Sequence, residues 1–185
     1  PEKYRDKFLQ IREQAGAIGL GLSSFAAEAE KIGGLLGTGM DRRYLVVFQN
    51  NSEMRGSGGF AGSFALVDIS EGKIKNIEVP AGGSYDTEAG MLDFFKAPRP
   101  LRLLSARWFF WDANWWPDWP SSARNLAYMY EKSSGPSVDG VIAITPTMIE
   151  RLLGALGPIV LSDGTVITQD NFWQYLQTTV EQENI

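Results

Sequence analysis

The chain has 185 residues, of which 44% are hydrophobic and 21% are charged, and this composition is typical of a globular domain. Its net charge of −5 argues against a general attraction to nucleic acid or to an anionic membrane, and leaves room only for a local basic patch. The sequence contains neither cysteine nor histidine. Disulfides, thiolate nucleophiles, imidazole zinc sites and Ser-His-Asp catalysis are therefore excluded.

No stretch of the sequence approaches the ~20 consecutive apolar residues of a transmembrane helix. The chain begins at Pro1 without a methionine. We therefore expect it to be part of a longer parent protein, which could carry a membrane anchor outside this chain.

Residues 4–36 show the heptad spacing of a helix that packs against another helix. The apolar positions, separated by alternating steps of four and three, are Tyr4, Phe8, Ile11, Ala15, Ile18, Leu22, Phe25, Ala29, Ile32 and Leu36. The glycines that follow, between 33 and 39, are expected to end the helix. The pattern predicts an N-terminal helical arm over 1–39. The arm either lies on its own domain or pairs with a helix upstream or in another subunit, which would allow self-association.

The remainder, 40–185, is predicted to be one α/β domain because strand and helix patterns alternate. Strands are expected at 44–48, 63–69, 73–79, 138–144 and 158–161, the second and third forming a hairpin through Glu71 and Gly72. Residues 80–120 should be mostly irregular. Helices are expected from 121 or 122 to about 132, from Pro146 to about 156 after a Thr145 cap, and from about 168 onward.

A polar, glycine-rich segment at 49–59 follows the first predicted strand and is expected to be a loop. Glycines allow backbone N–H groups to approach an anion, and arginine binds phosphate or carboxylate through two hydrogen bonds. We predict Arg55 and Glu53 as catalytic residues, with Arg55 pointing into the largest pocket of the domain. The alternative is a long turn in which these two residues pair with each other. The predicted ligand-binding residues of this segment are Gln49, Asn51, Gly58 and Gly59.

Five of the six tryptophans lie between residues 107 and 120. Aromatic side chains offer stacking faces for sugars, so Trp111, Asn114 and Trp115 are predicted to bind a glycan or a lipid carrier. The alternative is a small local core under an irregular segment. Asp112 and Asp118 could supply oxygen ligands to a hard cation such as Mg²⁺.

Three segments together resemble the bacterial domain of unknown function 4012 family over about residues 41–172. They are YLVVFQNNSEMR followed by Gly-Gly-Phe, then DANWWPDWPSSA, then VDGVIAI. That family is in turn distantly similar to the LytR-CpsA-Psr proteins. These are membrane-anchored, extracytoplasmic enzymes that move glycopolymers from a polyprenyl-pyrophosphate carrier to the cell wall, using arginines, an aspartate and a divalent metal.

The resemblance implies a LytR-CpsA-Psr-like mixed sheet flanked by helices, with Arg55 near the arginine that follows the first strand of those enzymes. The chain reads Val79-Pro80-Ala81-Gly82 where they have Pro-Arg-Asp, and Trp111 stands where an arginine is expected before Asp112. The resemblance therefore supports the fold more than the chemistry.

The function that this resemblance implies is that of an extracytoplasmic domain, tethered by a segment outside this chain. It would bind a cell-wall glycan, a polyprenyl-phosphate-linked precursor or another anionic ligand. The alternatives are a metal-dependent phosphotransferase acting on such a precursor, with Mg²⁺ as its cofactor, and a non-catalytic scaffold assembled through the N-terminal helix. No nucleic-acid partner is expected.

Overall fold

The computed structural model describes residues 22–183, with side chains described for 22–179. The described residues up to Arg42 form one compact unit with Asp68–Lys75, and Arg43–Val67 form a second unit with the residues from Asn76 onward. The heptad positions between 4 and 21 lie outside the described residues. The predicted division between 39 and 40 stays a prediction.

Helix α1 spans residues 22–35, as the heptad pattern predicts for this part of the arm. The helix ends at a glycine in the left-handed conformation, Gly37, whose φ is +77°. The backbone N–H of Thr38 then donates to the carbonyl of Gly33 at 2.9 Å, which satisfies one of the last helical carbonyls. The predicted role of the glycine run in ending the helix is confirmed.

A four-stranded mixed sheet forms the centre of the fold, in the order β3-β2-β1-β4. The strands are β1 (Arg42–Arg55), β2 (Gly58–Ser70), β3 (Lys73–Glu78) and β4 (Gly140–Ile144). Strands β1 and β4 run parallel, from Tyr44 opposite Gly140 to Phe48 opposite Ile144. The predicted turn between β2 and β3 is confirmed, because Glu71 and Gly72 both have the positive φ that a tight hairpin turn requires.

The prediction of a loop at 49–59 is wrong. This segment is the end of β1, a two-residue turn at 56–57, and the start of β2. Its polar side chains lack the apolar alternation by which a strand is usually detected, but pairing between neighbouring strands satisfies its backbone. The glycines serve close packing. A side chain at Gly59 would overlap the carbonyl of Asn50, and one at Gly56 would overlap the carbonyl of Trp115.

Helices flank the sheet, and the predicted mixed α/β class is confirmed. The regular helices of the second unit are α2 (Asp86–Gly90), α3 (Trp119–Lys132), α4 (Pro146–Leu156) and α5 (Phe172–Glu183). Single helical turns at Gly83–Tyr85, Leu101–Leu103 and Phe110–Asp112 interrupt the irregular region, and β5 (Ile159–Val160) pairs antiparallel with β6 (Val166–Ile167). Thr145 caps α4 as predicted, by accepting from the N–H of Met148 at 3.3 Å.

Helix α3 begins at Trp119, earlier than the predicted 121 or 122, because Asp118 rather than a serine caps it. Its buried face packs on the sheet. Leu126 and Met129 join Leu45 of β1 and Phe64 of β2 in one core cluster. Phe110, which is fully buried, meets Phe64 edge to face with ring centroids 5.4 Å apart. The irregular region is thereby tied to the core that supports the β1–β2 hairpin.

Candidate functional site

Arg55 and Asp112, two of the residues predicted for the site, form an ion pair. The Nε of Arg55 donates to Oδ1 of Asp112 at 2.8 Å, and the two side chains keep 23% and 20% of their exposure. The guanidinium also lies over the ring of Phe60, 5.0 Å from its centroid. Arg55 therefore pairs with Asp112 and not with Glu53, which is exposed.

A row of four aromatic side chains adjoins this ion pair, and we call it the aromatic row. It consists of Phe60, Tyr85, Trp111 and Phe109, with neighbouring ring centroids 6.4 Å, 4.7 Å and 4.4 Å apart in that order. Trp111 and Phe109 are nearly parallel, at 10°. Arg55 lies at the Phe60 end, and Arg107 lies over Phe109 at 5.3 Å. Tyr85 is 58% exposed, so the row reaches solvent.

Buried amides hold the hairpin and the tryptophan segment together. The Nδ2 of Asn114 donates to the carbonyl of Gly59 at 2.7 Å, and the hydroxyl of Ser57 donates to the carbonyl of Asn114 at 3.2 Å. Gln49 is also buried, in the space that Gly58 leaves open by lacking a side chain. Gln49 Nε2 and Asn114 Oδ1 have no hydrogen-bond partner. The structure thus places these predicted ligand-binding residues beneath the site.

The two aspartates predicted for a metal have protein partners. Asp112 accepts from Arg55, and Asp118 accepts from the backbone N–H of Ser121 at 2.8 Å as the cap of α3. Hydrogen bonding from Ser121 lowers the pKa of Asp118 below its ordinary value. Across the part of the chain that the structure describes, no group of three acidic side chains is arranged to hold a metal ion. The described residues therefore do not form a ready Mg²⁺ site.

The tryptophan segment combines a local core with a surface. Trp108 and Trp119 pack against the core cluster, and Trp108 Nε1 donates to the carbonyl of Asp112 at 2.9 Å. Trp111 belongs to the aromatic row, and the predicted Trp115 is half-buried with its carbonyl against Gly56. The interpretation as a small local core therefore holds for Trp108 and Trp119, and glycan binding by Trp111 and Trp115 stays a prediction.

A separate cavity of about 440 Å³ lies beyond the point where the parallel pairing of β1 with β4 ends. Its lining residues are Asn51, Thr145, Thr147, Met148, Arg151 and Leu152. Asn51, a predicted ligand-binding residue, donates from Nδ2 to the hydroxyl of Thr147 at 2.9 Å. Crevices at the carboxyl ends of parallel strands are common ligand sites. Arg55 does not line this cavity, although its position in the sequence predicted that it would point into a pocket.

Several residues of the aromatic row and of the cavity were not predicted from the sequence. Phe60 was visible in the Gly-Gly-Phe string, but nothing in the sequence marked Tyr85, which comes from a single helical turn 25 positions further on. The α4 residues Thr147 and Arg151 could have been found from the Thr145-Pro146 cap. A helix that begins directly after a parallel strand places its first turns at the edge of the sheet.

Fold and site together define a mixed α/β domain that presents an aromatic surface beside a half-buried arginine–aspartate pair. The family described as protein of unknown function (DUF4012) matches residues 40–180, and the chain belongs to this family. Neither the curated proteins nor the solved structures include a match to it. Among the residues that the structure describes, no helix is long and apolar enough to cross a membrane.

Proposed function

We propose that this domain binds a cell-envelope glycan, or its lipid-linked precursor, along the aromatic row. The observation that carries the proposal is the row itself, in which Phe60 of β2 and three rings of the mainly irregular region lie side by side and reach solvent at Tyr85. We further propose an extracytoplasmic location, tethered by a segment outside this chain, and a LytR-CpsA-Psr-like ancestry for the fold.

The chemistry of the row suits a sugar polymer. Pyranose rings carry apolar C–H faces that pack on aromatic rings, and their hydroxyls need hydrogen-bond partners at the rim. Arg55 and Asp112 supply a donor and an acceptor at the Phe60 end, and Arg107 adds a cation at the Phe109 end. A glycan that bears phosphate or carboxylate groups would gain a charge-assisted hydrogen bond from Arg107.

The geometry favours binding over phosphoryl transfer. A phosphotransferase would use Arg55 to stabilise negative charge that develops on a phosphoryl group. In this structure the charge of Arg55 is already balanced by Asp112 at 2.8 Å, and Asp112 would repel an incoming phosphate. The arginine and aspartate of the Pro-Arg-Asp string are also missing at Ala81 and Gly82. A non-catalytic binding domain needs neither.

The test is a titration followed by calorimetry and tryptophan fluorescence, with a soluble N-acetylglucosamine oligosaccharide and a short polyprenyl pyrophosphate as probes. Trp111→Ala should weaken binding by roughly tenfold or more, because a stacked ring of this kind contributes on the order of 1–2 kcal/mol. Trp116→Ala is the matched control, since Trp116 lies in the same segment, is exposed and is outside the row. Failure of both probes to bind, or equal losses in the two variants, would refute the proposal.

The exposed apolar face of α1 favours the alternative function, that of a non-catalytic scaffold assembled through the N-terminal helix. Along α1 the heptad residues Leu22, Phe25 and Ile32 are exposed. An apolar stripe at heptad spacing is typical of a helix that pairs with another helix. In this alternative the domain is brought into an assembly through α1, and loss of the aromatic row leaves the assembly intact.

A further inference from the structure

The segment of residues 91–107, which we call the basic loop, presents a surface of which the proposed function uses only Arg107. Three leucines there, Leu92, Leu103 and Leu104, are 91%, 90% and 89% exposed, and Phe94 is 67% exposed. The loop contains four cationic side chains and one carboxylate, a net charge of +3 in a chain of −5. Single exposed apolar residues are ordinary, but several in one segment mark an interaction surface.

The exposed leucines are held by an ordered backbone. Lys96 and Arg107 form an antiparallel bridge that closes the loop, and Arg102 Nε donates to the carbonyl of Ala97 at 2.7 Å across it. Met91 and Ala97 are buried and anchor the loop on the domain. The buried apolar residues of the basic loop therefore fix it on the domain, while its other apolar residues face solvent.

The charge of the loop is concentrated beside the leucines. Asp93, its only carboxylate, lies 3.4 Å from the Nζ of Lys132 at the end of α3, so a cation outside the loop offsets it. Lys96 and Arg99 are exposed, and the 99–104 stretch places Arg99 and Arg102 next to Leu103 and Leu104 in the chain. Leu103 and Leu104 thus lie within five positions of both Arg99 and Arg102, whereas Leu92 adjoins Asp93.

We infer that the basic loop docks on the surface of an anionic phospholipid bilayer. Leucine side chains gain by entering the boundary of the acyl chains, while lysine and arginine keep their charged ends among the phosphate headgroups. The attraction between a basic cluster and anionic lipid supplements this burial and falls with salt. A protein partner fits less well, because three of the four highly exposed apolar side chains are leucines, and leucine is under-represented among the residues that dominate protein interfaces. This inference does not depend on glycan binding by the aromatic row.

The experiment is flotation of the full chain with vesicles of phosphatidylcholine alone and with vesicles of equal parts phosphatidylglycerol and phosphatidylcholine. The chain should float with the anionic vesicles, and less so as salt is raised. The double variant L103S/L104S should reduce the partition coefficient by roughly tenfold or more, because it removes the apolar surface of two leucines that would enter the boundary of the acyl chains. Leu156→Ser is its matched control, because Leu156 is 83% exposed at the end of α4.

A second pair of variants tests the charge. Arg99→Glu should weaken flotation with anionic vesicles. Lys73→Glu makes the same change of charge at an exposed residue of β3 and should have a much smaller effect. Near-ultraviolet circular dichroism should be unchanged in every variant, because each altered side chain lies in solvent.

Three results would overturn the inference. The first is that the full chain fails to float with anionic vesicles. The second is that it floats equally well after L103S/L104S, which would assign lipid binding to another surface such as α1. The third is that L103S/L104S converts an oligomer to a monomer while the original chain ignores vesicles, which would make the loop a protein contact.

Discussion

The ion pair between Arg55 and Asp112 should be energetically coupled, and a double-mutant cycle measures that coupling. The variants are Arg55→Met, Asp112→Asn and the two combined. Exposed ion pairs contribute ~0.2–1 kcal/mol, whereas breaking a buried pair costs ~3–5 kcal/mol. With 23% and 20% of their exposure retained, these side chains fall between the two limits. Contact of Arg55 with the ring of Phe60 adds about 0.5–1 kcal/mol to the loss when the guanidinium is removed.

We therefore expect Arg55→Met to lower the free energy of unfolding by about 2 kcal/mol and Asp112→Asn by about 1–2 kcal/mol. The coupling between them should be about 1 kcal/mol, because the double variant no longer contains an unpaired charge. Urea unfolding at neutral pH and low salt measures all four proteins, and a loss of 2 kcal/mol corresponds to a fall in Tm of about 4–8 °C for a chain of this length.

Lys73→Met, combined with Asp112→Asn, is the control cycle and should be additive. A coupling below about 0.3 kcal/mol for the Arg55–Asp112 cycle is within the error of additivity. Such a result would show that the pair is as weak as a surface contact. Arg55 would then be available to an anionic ligand without loss of a stabilising partner, and its ion pair would no longer disfavour phosphoryl transfer.

Three further outcomes are expected. Asp118→Asn should lower the Tm at pH 7, and the difference in Tm between the unmutated chain and the variant should close as the pH falls below 3.8. The pKa of Asp118 is lowered in the folded chain, so this carboxylate stabilises the fold only while it is ionised. A difference in Tm that is constant with pH would contradict this. Gly56→Ala should cost about 1–3 kcal/mol because the new methyl group meets the carbonyl of Trp115, while Gly34→Ala, with open space around it, should cost nothing measurable in the same urea titration. Leu22→Asp should dissociate any oligomer of the chain without unfolding the α/β domain, and light scattering measures the change. If the unmutated chain is already a monomer, pairing between copies is refuted.

The elements with strong local signals were predictable from the sequence. The hairpin turn at Glu71 and Gly72 and the Thr145-Pro146 start of α4 depend on residues whose backbone preference or side-chain hydrogen bond decides the structure locally. The start of α3 was misplaced because Asp118, Ser121 and Ser122 are all good capping residues. The path of the backbone before α3 determines which of them caps the helix, and the sequence pattern does not reveal that path.

The site could be predicted only in part, because its members come together through tertiary structure. The sequence nominated Arg55, Asp112 and Trp111 separately, and it assigned the first two to catalysis and metal binding. Their contact across 57 positions and the insertion of Tyr85 into the row follow from the β1–β2 hairpin packing on the irregular region. The prediction of a loop at 49–59 was wrong for a related reason. A polar strand is stabilised by pairing with neighbouring strands, and its own residues give little sign of it.

The parallel pairing of β1 with β4 has a consequence for how the chain folds. The backbone N–H of Arg43 bonds to the carboxylate of Asp139 at a separation of 96 positions, whereas β1, β2 and β3 are joined by two-residue turns. Local hairpins close in microseconds, and contacts between distant segments form late because closing a long loop costs more entropy. On a ribosome, β1 would therefore keep the edge of its apolar stretch Tyr44–Phe48 open until β4 has emerged, and during that interval this stretch is exposed to pairing with a neighbouring chain.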